Sequence, residues 1–513
     1  MSIGIFLNQK LKEMKKFLSL FIIGLSISSL QAQDFSDALR YSQTNLNGTA
    51  RFRAMGGAFG ALGGDFSAIS VNPAGSAVFA NNSAAITLSN YSTKNKSNYF
   101  GTETSEKDNS FDLNQLGAVW IFRDYAETSK WKKMSLALTY ENNNDFDNKI
   151  YSQGINPTNS VADYFTSYAN GIPEGTITES YFDELGYNAQ QAYLGYEGFF
   201  ISPTVAGGDQ YVSALTGTGD FYQENYISST GYNGKLSFNA AAEYDERFYF
   251  GVNLNSHFVD FNQTTSFYED YLDSLNHDTA TGVQASRFTN ELYTYGTGFS
   301  FQLGTIAKVT NEFRVGLAYE SPTWYRLNEE LNQTLLVDCA DCFDDAQSFY
   351  ASVSTPNNPF ITVYPTYSLR TPGKWTGSLA YVFGTSGLLS FDYALKDYSN
   401  TKFRHFTEAN TQLSTLLDTA NEFRVGGEYR IKAWSLRAGY RFEESPYKNG
   451  TTMGDLTSYS GGLGYNFGDV KLDMSYTFAK RDFQQAFFAQ GMIDTATINQ
   501  KNNNVSLTLL FEL

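Results

Sequence analysis

The sequence has few of the residues that most often carry chemistry. Of its 513 residues, two are cysteine and three are histidine. Basic residues are also scarce, with 36 Lys and Arg against 53 Asp and Glu, so the net charge is −17. Because nucleic-acid binding needs basic surfaces that neutralise phosphates, this balance argues against a nucleic-acid partner. Beyond the N-terminal region the chain has no run of about 18 apolar residues, which excludes a membrane-spanning helix.

The apolar stretch near the N-terminus has the order of an export signal. Two lysines at 15 and 16 precede the apolar residues 17–25, and small residues follow up to Ala32. A buried helix would leave this order unexplained, whereas a secretory signal peptide requires it. We therefore predict that residues 1–32 form a signal peptide, and that Met14 is a candidate for the true start of translation.

The composition of the rest of the chain fits two classes of exported protein. The chain is 16% aromatic, acidic and of negative mean hydropathy. One fitting class is a secreted all-β protein. The other is an outer-membrane β-barrel, whose strands alternate lipid-facing and lumen-facing residues and therefore escape hydropathy plots.

Segments in which apolar and polar residues alternate recur along the chain. In residues 433–443, for example, Trp434, Leu436 and Tyr440 share one face while Arg437 and Arg441 share the other. Fourteen such strands are predicted, at residues 83–92, 112–122, 132–141, 233–244, 247–261, 290–308, 312–321, 368–383, 387–399, 420–430, 433–443, 457–467, 470–480 and 501–512.

The connections between these strands decide between the two classes. From the fourth strand on, tight turns alternate strictly with long connections, of which residues 142–232 are the longest. Outer-membrane barrels have short periplasmic turns, long external loops and an even number of strands. A secreted sandwich has no reason to collect its long loops at one end. The sequence thus predicts an all-β fold in which residues 83–513 form a 14-stranded antiparallel transmembrane β-barrel.

Residues 33–82 precede the first predicted strand and are rich in Gly and Ala. A barrel of fourteen strands is too wide for wall side chains to fill, since about eight strands mark that limit. We therefore predict that this segment is a plug, or hatch, inside the barrel. Asp65 and Asn72 are predicted to cap short helical turns, with Pro73 at a first helical position. The glycines are not a dinucleotide loop, because no strand precedes them.

Several stretches resemble the FadL-type family of outer-membrane transporters. The stretch GGDFSAISVNPAG at 63–75 is similar to the N-terminal hatch of that family. NEFRVGLAYESP at 311–322 and SLRTPGKWTGSLAY at 368–381 resemble its central strands, and residues 421–446 resemble its strand pair ending in Arg-Ala-Gly-Tyr. The barrel of the family has fourteen strands, which agrees with the strand count.

The resemblance implies a route for passive uptake of long-chain fatty acids or other hydrophobic compounds. In the family, the ligand enters an apolar pocket, the hatch rearranges, and the ligand leaves sideways through the barrel wall. The Asn-Pro-Ala motif carries over to Asn72, Pro73 and Ala74, and Asp65 and Gly75 complete the candidate gating residues. We expect an outer-membrane monomer whose partners are hydrophobic small molecules and outer-membrane lipid, with no cofactor and no metal.

Charged residues on the predicted lumen faces carry both signs. Two interpretations are open: a salt-bridge lattice that packs the lumen, or an arginine that meets a ligand carboxylate. The candidates for the second are Arg424, Arg437 and Arg441. The full set of lumen-facing charges is Arg314, Glu320, Asp392, Lys396, Arg424, Glu428, Arg430, Arg437, Arg441, Lys471 and Asp473.

The two cysteines, Cys339 and Cys342, have the spacing of half a zinc site or of a redox pair. The chain lacks a second cysteine pair and a βαβ context, so a small disulfide in an external loop is the favoured interpretation. Alternative functions for the same barrel are partnership in a protein secretion complex, such as type IX secretion, and uptake of haem. An enzyme is disfavoured because no nucleophile motif accompanies His257, His277 or His405.

Overall fold

The computed structural model describes residues 35–126, 128–215, 217, 219–271, 277, 282–342, 349–350, 360–404 and 406–513, so the predicted signal peptide lies outside the described residues. Fourteen long strands dominate this part of the chain. They are β1 (Ser83–Tyr99), β2 (Thr102–Arg123), β3 (Trp131–Asp145), β4 (Phe221–Tyr244), β5 (Phe248–Asp270), β6 (Gly282–Lys308), β7 (Phe313–Glu320), β8 (Lys374–Val382), β9 (Gly387–Asp397), β10 (Thr419–Ile431), β11 (Trp434–Glu443), β12 (Leu456–Asn466), β13 (Val470–Ala486) and β14 (Thr495–Glu512).

These strands form a closed barrel. Each strand pairs antiparallel with the next in chain order, and β14 pairs with β1 from Ser83↔Glu512 to Asn98↔Thr497. Closure leaves no unpaired edge, as a sheet in lipid requires. The predicted 14-stranded antiparallel β-barrel is confirmed, and each predicted segment overlaps one of the fourteen strands.

The alternation along each strand sorts side chains to two faces. On β11, Trp434 and Leu436 are exposed, whereas Arg437 and Arg441 are buried. Exposed apolar side chains of this kind recur around the wall and form its lipid-facing band. Short turns join the strands at one end, which we take as the periplasmic end. In the described residues no helix is long and apolar enough to cross a membrane.

Two predicted connections are wrong because the strands are longer than the membrane requires. Residues 93–111 are not a loop, since β1 and β2 continue to a tight turn at Phe100 and Gly101, both at positive φ. Residues 262–270 and 282–289 likewise continue β5 and β6. The segment predicted at 368–383 is split, because Pro372 has no N–H to donate to a ladder.

The long connections build a roof above the extracellular end. Its largest part is two packed helices, Val161–Ala169 and Tyr187–Glu197, whose N-cap residues are Ser160 and Gly186. The other elements of the connections are helices Glu174–Glu179, Phe182–Glu184, Tyr398–Asn400 and Thr407–Leu416 and strands Asn148–Asn156, Ile201–Pro203, Tyr211–Ser213, Trp324–Ala340, Phe349–Tyr350, Ile361–Val363, Tyr367–Arg370 and Lys402–Phe403.

Residues 35–82, here called the N-terminal segment, form four short helices: Phe35–Arg40, Ala50–Ala54, Ala68–Val71 and the 3₁₀ helix Pro73–Val78. The segment contacts the inner face of strands on opposite sides of the ring. The 3₁₀ helix packs on β3, β4, β5 and β6, while Ala50–Ala54 packs on β11, β12, β13 and β14. Its side chains are almost entirely buried.

Candidate functional site

Many polar contacts join the backbone of the N-terminal segment to side chains of the wall. Asp392 of β9 accepts from the N–H groups of Phe59, at 3.0 Å, and Gly60, at 3.1 Å. Asn253 of β5 donates to the carbonyl of Ile69 at 2.9 Å, and similar bonds come from other strands. Each such bond contributes only about 0.5–1.5 kcal/mol net, because water can replace either partner. The segment is thus attached in part by bonds that water can exchange, and in part by the largely buried ion pair of Arg51 with Glu428 and by apolar clusters shared with the wall.

Glycines of the wall let the segment approach closely. A Cβ on Gly304 would lie 2.0 Å from Asn72 Oδ1, and one on Gly251 would lie 2.3 Å from the carbonyl carbon of Pro73. Gly316 faces Gly60, and Gly439 faces Gly56, in the same way. Only glycine tolerates such approach of two backbones. Sequence reasoning missed these wall positions, although glycines at lumen parity within strands are a usable signal.

Asn72 and Pro73 form the tightest junction of segment and wall. Asn72 is the N-cap residue of the 3₁₀ helix, its Oδ1 accepts from Ala74 N at 3.1 Å, and Pro73 occupies the first helical position. Nδ2 of Asn72 donates to the carbonyl of Gly60 at 2.7 Å and to that of Thr305 on β6 at 3.0 Å. One side chain thus caps a helix, ties the segment to itself and ties it to the wall.

Asp65 and Gly75 join distant parts of the segment. Ser67 precedes the helix Ala68–Val71 without a side-chain cap bond, and the Asp65 carboxylate accepts from Ser67 N at 2.9 Å at the start of this turn, as a capping side chain does. The same carboxylate accepts from Thr49 Oγ1 at 2.8 Å. The carbonyl of Gly75 accepts from Gly64 N at 3.0 Å, and a Cβ built on Gly75 would lie 3.1 Å from the Cα of Gly63.

The lumen-facing charges form an ion-pair lattice on β10 to β13. Glu422 pairs with Arg424 at 2.5 Å and with Arg441 at 2.6 Å, and Arg441 also pairs with Glu443. Arg437 lies between Glu428 at 2.7 Å and Asp473 at 2.5 Å. All three candidate arginines therefore already contact carboxylates. This arrangement fits the lattice interpretation, and contact with a ligand carboxylate stays a prediction.

A cavity of about 910 Å³ lies between the N-terminal segment and the roof. Its floor includes Leu39, Asn45 and Asn47 of the segment, and its upper part includes Tyr187 and Phe488 of the roof. The volume is that of sites that hold small organic molecules. Of the three candidate arginines, Arg441 lines it.

The roof is anchored by a buried carboxylate. Glu269 of β5 accepts from Ser160 Oγ, from Val161 N at 3.1 Å and from Gln223 Nε2 at 2.6 Å. These donors place the carboxylate at the N-terminus of helix Val161–Ala169, where a negative charge is favoured. Burial nevertheless raises the pKa of the Glu269 carboxyl to about 7. The roof helix therefore sits on a group that is partly protonated at neutral pH.

The wall has an interrupted ladder between β2 and β3. Their backbone pairing runs from Arg123↔Lys133 up to Gln115↔Glu141 and stops there. A bulge at Asn114 on β2 and another at Asn143 on β3 lie where it stops. Bulges of this kind end pairing and bend a strand. We call the unpaired stretch above this point, between residues 102–114 and 142–156, the seam.

Side chains bridge the seam in place of a ladder. Asn142 Nδ2 donates to Asp112, Ser110 Oγ donates to Asp145 Oδ2 at 2.6 Å, and Lys149 pairs with Asp108 at 2.8 Å. On the outer face beside it, Phe111 is 70% exposed. The lower end of the seam thus lies at the upper edge of the lipid-facing band.

The N-terminal segment covers the inner side of the seam. Gly48 N donates to Asn114 Oδ1 on β2, and Asn45 N donates to the carbonyl of Asn143 at 3.1 Å on β3. Asn47 Nδ2 donates to the carbonyl of Asn142. The same residues of the segment that floor the cavity therefore bind both sides of the interrupted ladder. Sequence reasoning did not find this contact, because neither bulge leaves a mark in the alternation pattern.

The cysteines and histidines lie apart from this site. Cys339 and Cys342 form a disulfide at the end of strand Trp324–Ala340, on the extracellular side. His257 bonds to Ser300 at 2.8 Å, His277 bonds to the carbonyl of Gly219, and His405 lies outside the described residues. Among the residues that the structure describes, no group of His, Cys, Asp or Glu could hold a metal ion.

Replacing both cysteines with serine should leave ligand uptake near the wild-type level. The disulfide closes only a short loop, and stabilisation by a disulfide grows with the length of the loop it closes. Uptake by cells that carry equal amounts of either protein measures this. A large loss of uptake, or metal released in proportion to protein, would contradict it.

A closed β-barrel with a lipid-facing band, a filled lumen and an internal cavity defines an outer-membrane channel protein. The comparisons identify its family. Residues 212–506 match the model of the outer membrane protein transport protein family (OMPP1/FadL/TodX), and the chain belongs to that family. It is therefore an outer-membrane transport protein and not an enzyme. No curated protein matches the chain.

Solved structures are similar to this chain at low sequence identity. A FadL homologue from Pseudomonas aeruginosa superposes with a TM-score of 0.54 at 13% identity, covering 91% of this chain and 99% of the homologue. The toluene transporter TbuX of Ralstonia pickettii gives a TM-score of 0.48 at 15% identity, with 91% and 99% coverage. The toluene transporter TodX of Pseudomonas putida gives 0.48 at 13% identity, with the same coverage.

Proposed function

We propose that this protein mediates passive uptake of long-chain fatty acids or other hydrophobic compounds. The ligand enters the cavity from outside, the N-terminal segment rearranges, and the ligand leaves sideways through the seam into the membrane. One observation carries the proposal: the segment floors the cavity and also hydrogen-bonds to both sides of the interrupted ladder. In this proposal a ligand in the cavity is separated from the membrane by this segment and by the side chains that bridge the seam.

The hydrophobic effect favours a lateral route over an axial one. Moving an apolar chain through water costs about 0.8 kcal/mol per methylene group. An exit beside Phe111 delivers the chain directly to lipid, whereas an exit at the periplasmic end would return it to water. The outward apolar residues next to the seam therefore fit the final step of the route.

The contacts of the segment fit a gate that opens reversibly. Backbone groups of Asn45 and Gly48 bond to amide and carbonyl oxygens of the wall, and amides such as Asn47 and Asn142 make the remaining bonds. Such contacts are exchangeable with water at small net free energy. The candidate gating residues Asp65, Asn72, Pro73, Ala74 and Gly75 lie away from the seam, where they fix the rest of the segment. In this proposal they keep the segment attached to the wall while the residues at the seam move.

Uptake of labelled oleate by cells lacking their own fatty-acid transporter tests the proposal. We expect expression of this protein to raise the rate of oleate uptake well above that of cells carrying an empty vector. The protein should fractionate with the outer membrane and shift its gel migration on heating, since closed barrels resist unfolding in detergent. Correctly inserted protein that raises uptake of neither oleate nor a labelled hydrocarbon would overturn the proposed function.

A further inference from the structure

The cavity is lined by two kinds of surface. Apolar side chains gather at the roof, where Phe487, Phe488 and Ile150 belong to the hydrophobic cluster beneath the helices. A second apolar group, with Leu39 and Phe261, lies on the side of the segment. Between the two lie polar side chains from β1, β5, β13 and β14. The lining is thus apolar at two places and polar in between.

Uncharged amides supply much of this polar part. Thirteen lining residues are Asn or Gln, and they come from the segment, the wall and the roof alike. Among them are Asn148, Gln263, Gln500 and Asn502. A carboxamide that loses water without gaining a partner raises the free energy by about 1–3 kcal/mol, as judged from mutational data. A plain hydrocarbon filling this cavity would leave these amides without partners.

The charged side chains of the lining already have partners. Arg441 pairs with Glu422 and Glu443, and the guanidinium of Arg40 lies 4.0 Å from the centre of the Phe261 ring. Asp145 accepts from Ser110 and from Asp147 N, and Asp147 accepts from Gly231 N. The two cations and two anions also balance. An ionised ligand would therefore have to displace one of these partners from a charged side chain.

The amides retain hydrogen-bonding capacity. Gln263 Nε2 donates to Ser229 Oγ at 3.0 Å and Gln500 Nε2 donates to Asn95 Oδ1 at 3.1 Å, and each side chain has a carbonyl oxygen as well. The side-chain oxygen of Asn502 is buried and has no hydrogen-bond partner in the described part of the chain. These groups suit hydroxyls, which both donate and accept.

We propose that the cavity takes a neutral single-chain amphiphile whose head group carries several hydroxyl groups. The inference rests on the proposed function and names the class of ligand at the same site. The apolar chain lies against the roof or segment cluster, and the hydroxyls bond to the amides between them. A carboxylate head finds no such complement, because the charged side chains of the lining already have other partners.

Three probes with the same chain length separate the head groups: tritiated 1-monooleoylglycerol, oleate and 1-octadecene. Their binding to the protein in lipid nanodiscs is measured at equilibrium, with binding to empty nanodiscs subtracted. The variant Asn502→Leu/Gln263→Leu replaces two cavity amides with side chains of similar size. Asn503→Leu is the matched control, because Asn503 neighbours Asn502 on β14 but bonds to Tyr476 on the exposed face.

We expect wild-type protein to bind monooleoylglycerol more tightly than oleate. The double variant should weaken binding of monooleoylglycerol about tenfold, as expected for two lost neutral hydrogen bonds. It should not weaken binding of octadecene, which makes no hydrogen bond to these amides. Asn503→Leu should bind all three probes as the wild type does. Oleate binding as tightly as monooleoylglycerol, or a double variant with unchanged selectivity, would overturn the inference alone. Failure of every probe to bind would overturn the proposed function with it.

Discussion

A disulfide across the seam should abolish uptake, and a reducing agent should restore it. Asp112 and Asn142 lie on the two sides of the seam and their side chains are hydrogen-bonded to each other, so we choose these positions for the two cysteines. The Asp112→Cys/Asn142→Cys variant is made in the protein whose native cysteines are serine. If ligand leaves between β2 and β3, a covalent link at the end of their ladder holds the exit closed. We expect at least about a tenfold fall in the rate of uptake, which corresponds to a barrier raised by 1.4 kcal/mol or more.

The same variant with and without reductant is its own control, because the substitutions are identical in both states. Asn98→Cys/Thr497→Cys supplies a second control. These two exposed residues are register partners across β1 and β14, where the ladder is continuous. A disulfide there should leave uptake unchanged. Thiol labelling quantifies each cross-link. Normal uptake by fully cross-linked Asp112→Cys/Asn142→Cys protein would show that ligand leaves elsewhere.

The barrel could be predicted from the sequence because every strand meets the same physical constraint. Each strand must place apolar groups towards lipid and polar groups towards the lumen, so apolar and polar residues alternate in every segment. Trp434, Leu436 and Arg437 illustrate this, and their faces agree with the structure. The periodicity does not stop where the membrane ends, however. The extensions of β1, β2, β5 and β6 keep strand character outside lipid, which is why 93–111, 262–270 and 282–289 were misjudged as loops.

The candidate site could be predicted only in part, because it depends on contacts between distant residues. The cap at Asn72 and Pro73 follows from local chemistry, since a side chain and its neighbours determine it. The close approach of the segment to Gly251 and Gly304 depends on how two strands are aligned with the segment, and local sequence does not contain that alignment. The seam needs the pairing of β2 and β3, which alternation alone does not contain. Asp65 shows the same limit, since its partner Thr49 lies 16 residues away.

Replacing Asn72 and Pro73 with alanine should disturb transport while leaving the barrel intact. The change removes the helix cap at Ala74 and the bonds from Asn72 to Gly60 and to Thr305 on the wall. It also frees the backbone that Pro73 restricts. We expect the position of the segment to be destabilised by about 1–2 kcal/mol, a factor of about 5–30 in population. The expected result is normal membrane amounts and a loss of hydrophobic-ligand uptake of that order.

Asn81→Ala is the matched control for this variant, because Asn81 is an exposed asparagine in the same segment. It should insert and transport as the wild type does. Equal uptake by the Asn72→Ala/Pro73→Ala protein and this control would show that the junction serves assembly only.

Deleting residues 34–82 should turn the closed barrel into an open pore. The segment contacts strands on opposite sides of the ring, and fourteen strands enclose a lumen that their own side chains cannot fill. The strand ladder, including the β1–β14 closure, does not depend on the segment, so the deletion variant should still insert. Single-channel recording in planar bilayers should then show a larger conductance than the wild type. A deletion variant that inserts but stays closed would mean that the roof, and not the segment, seals the lumen.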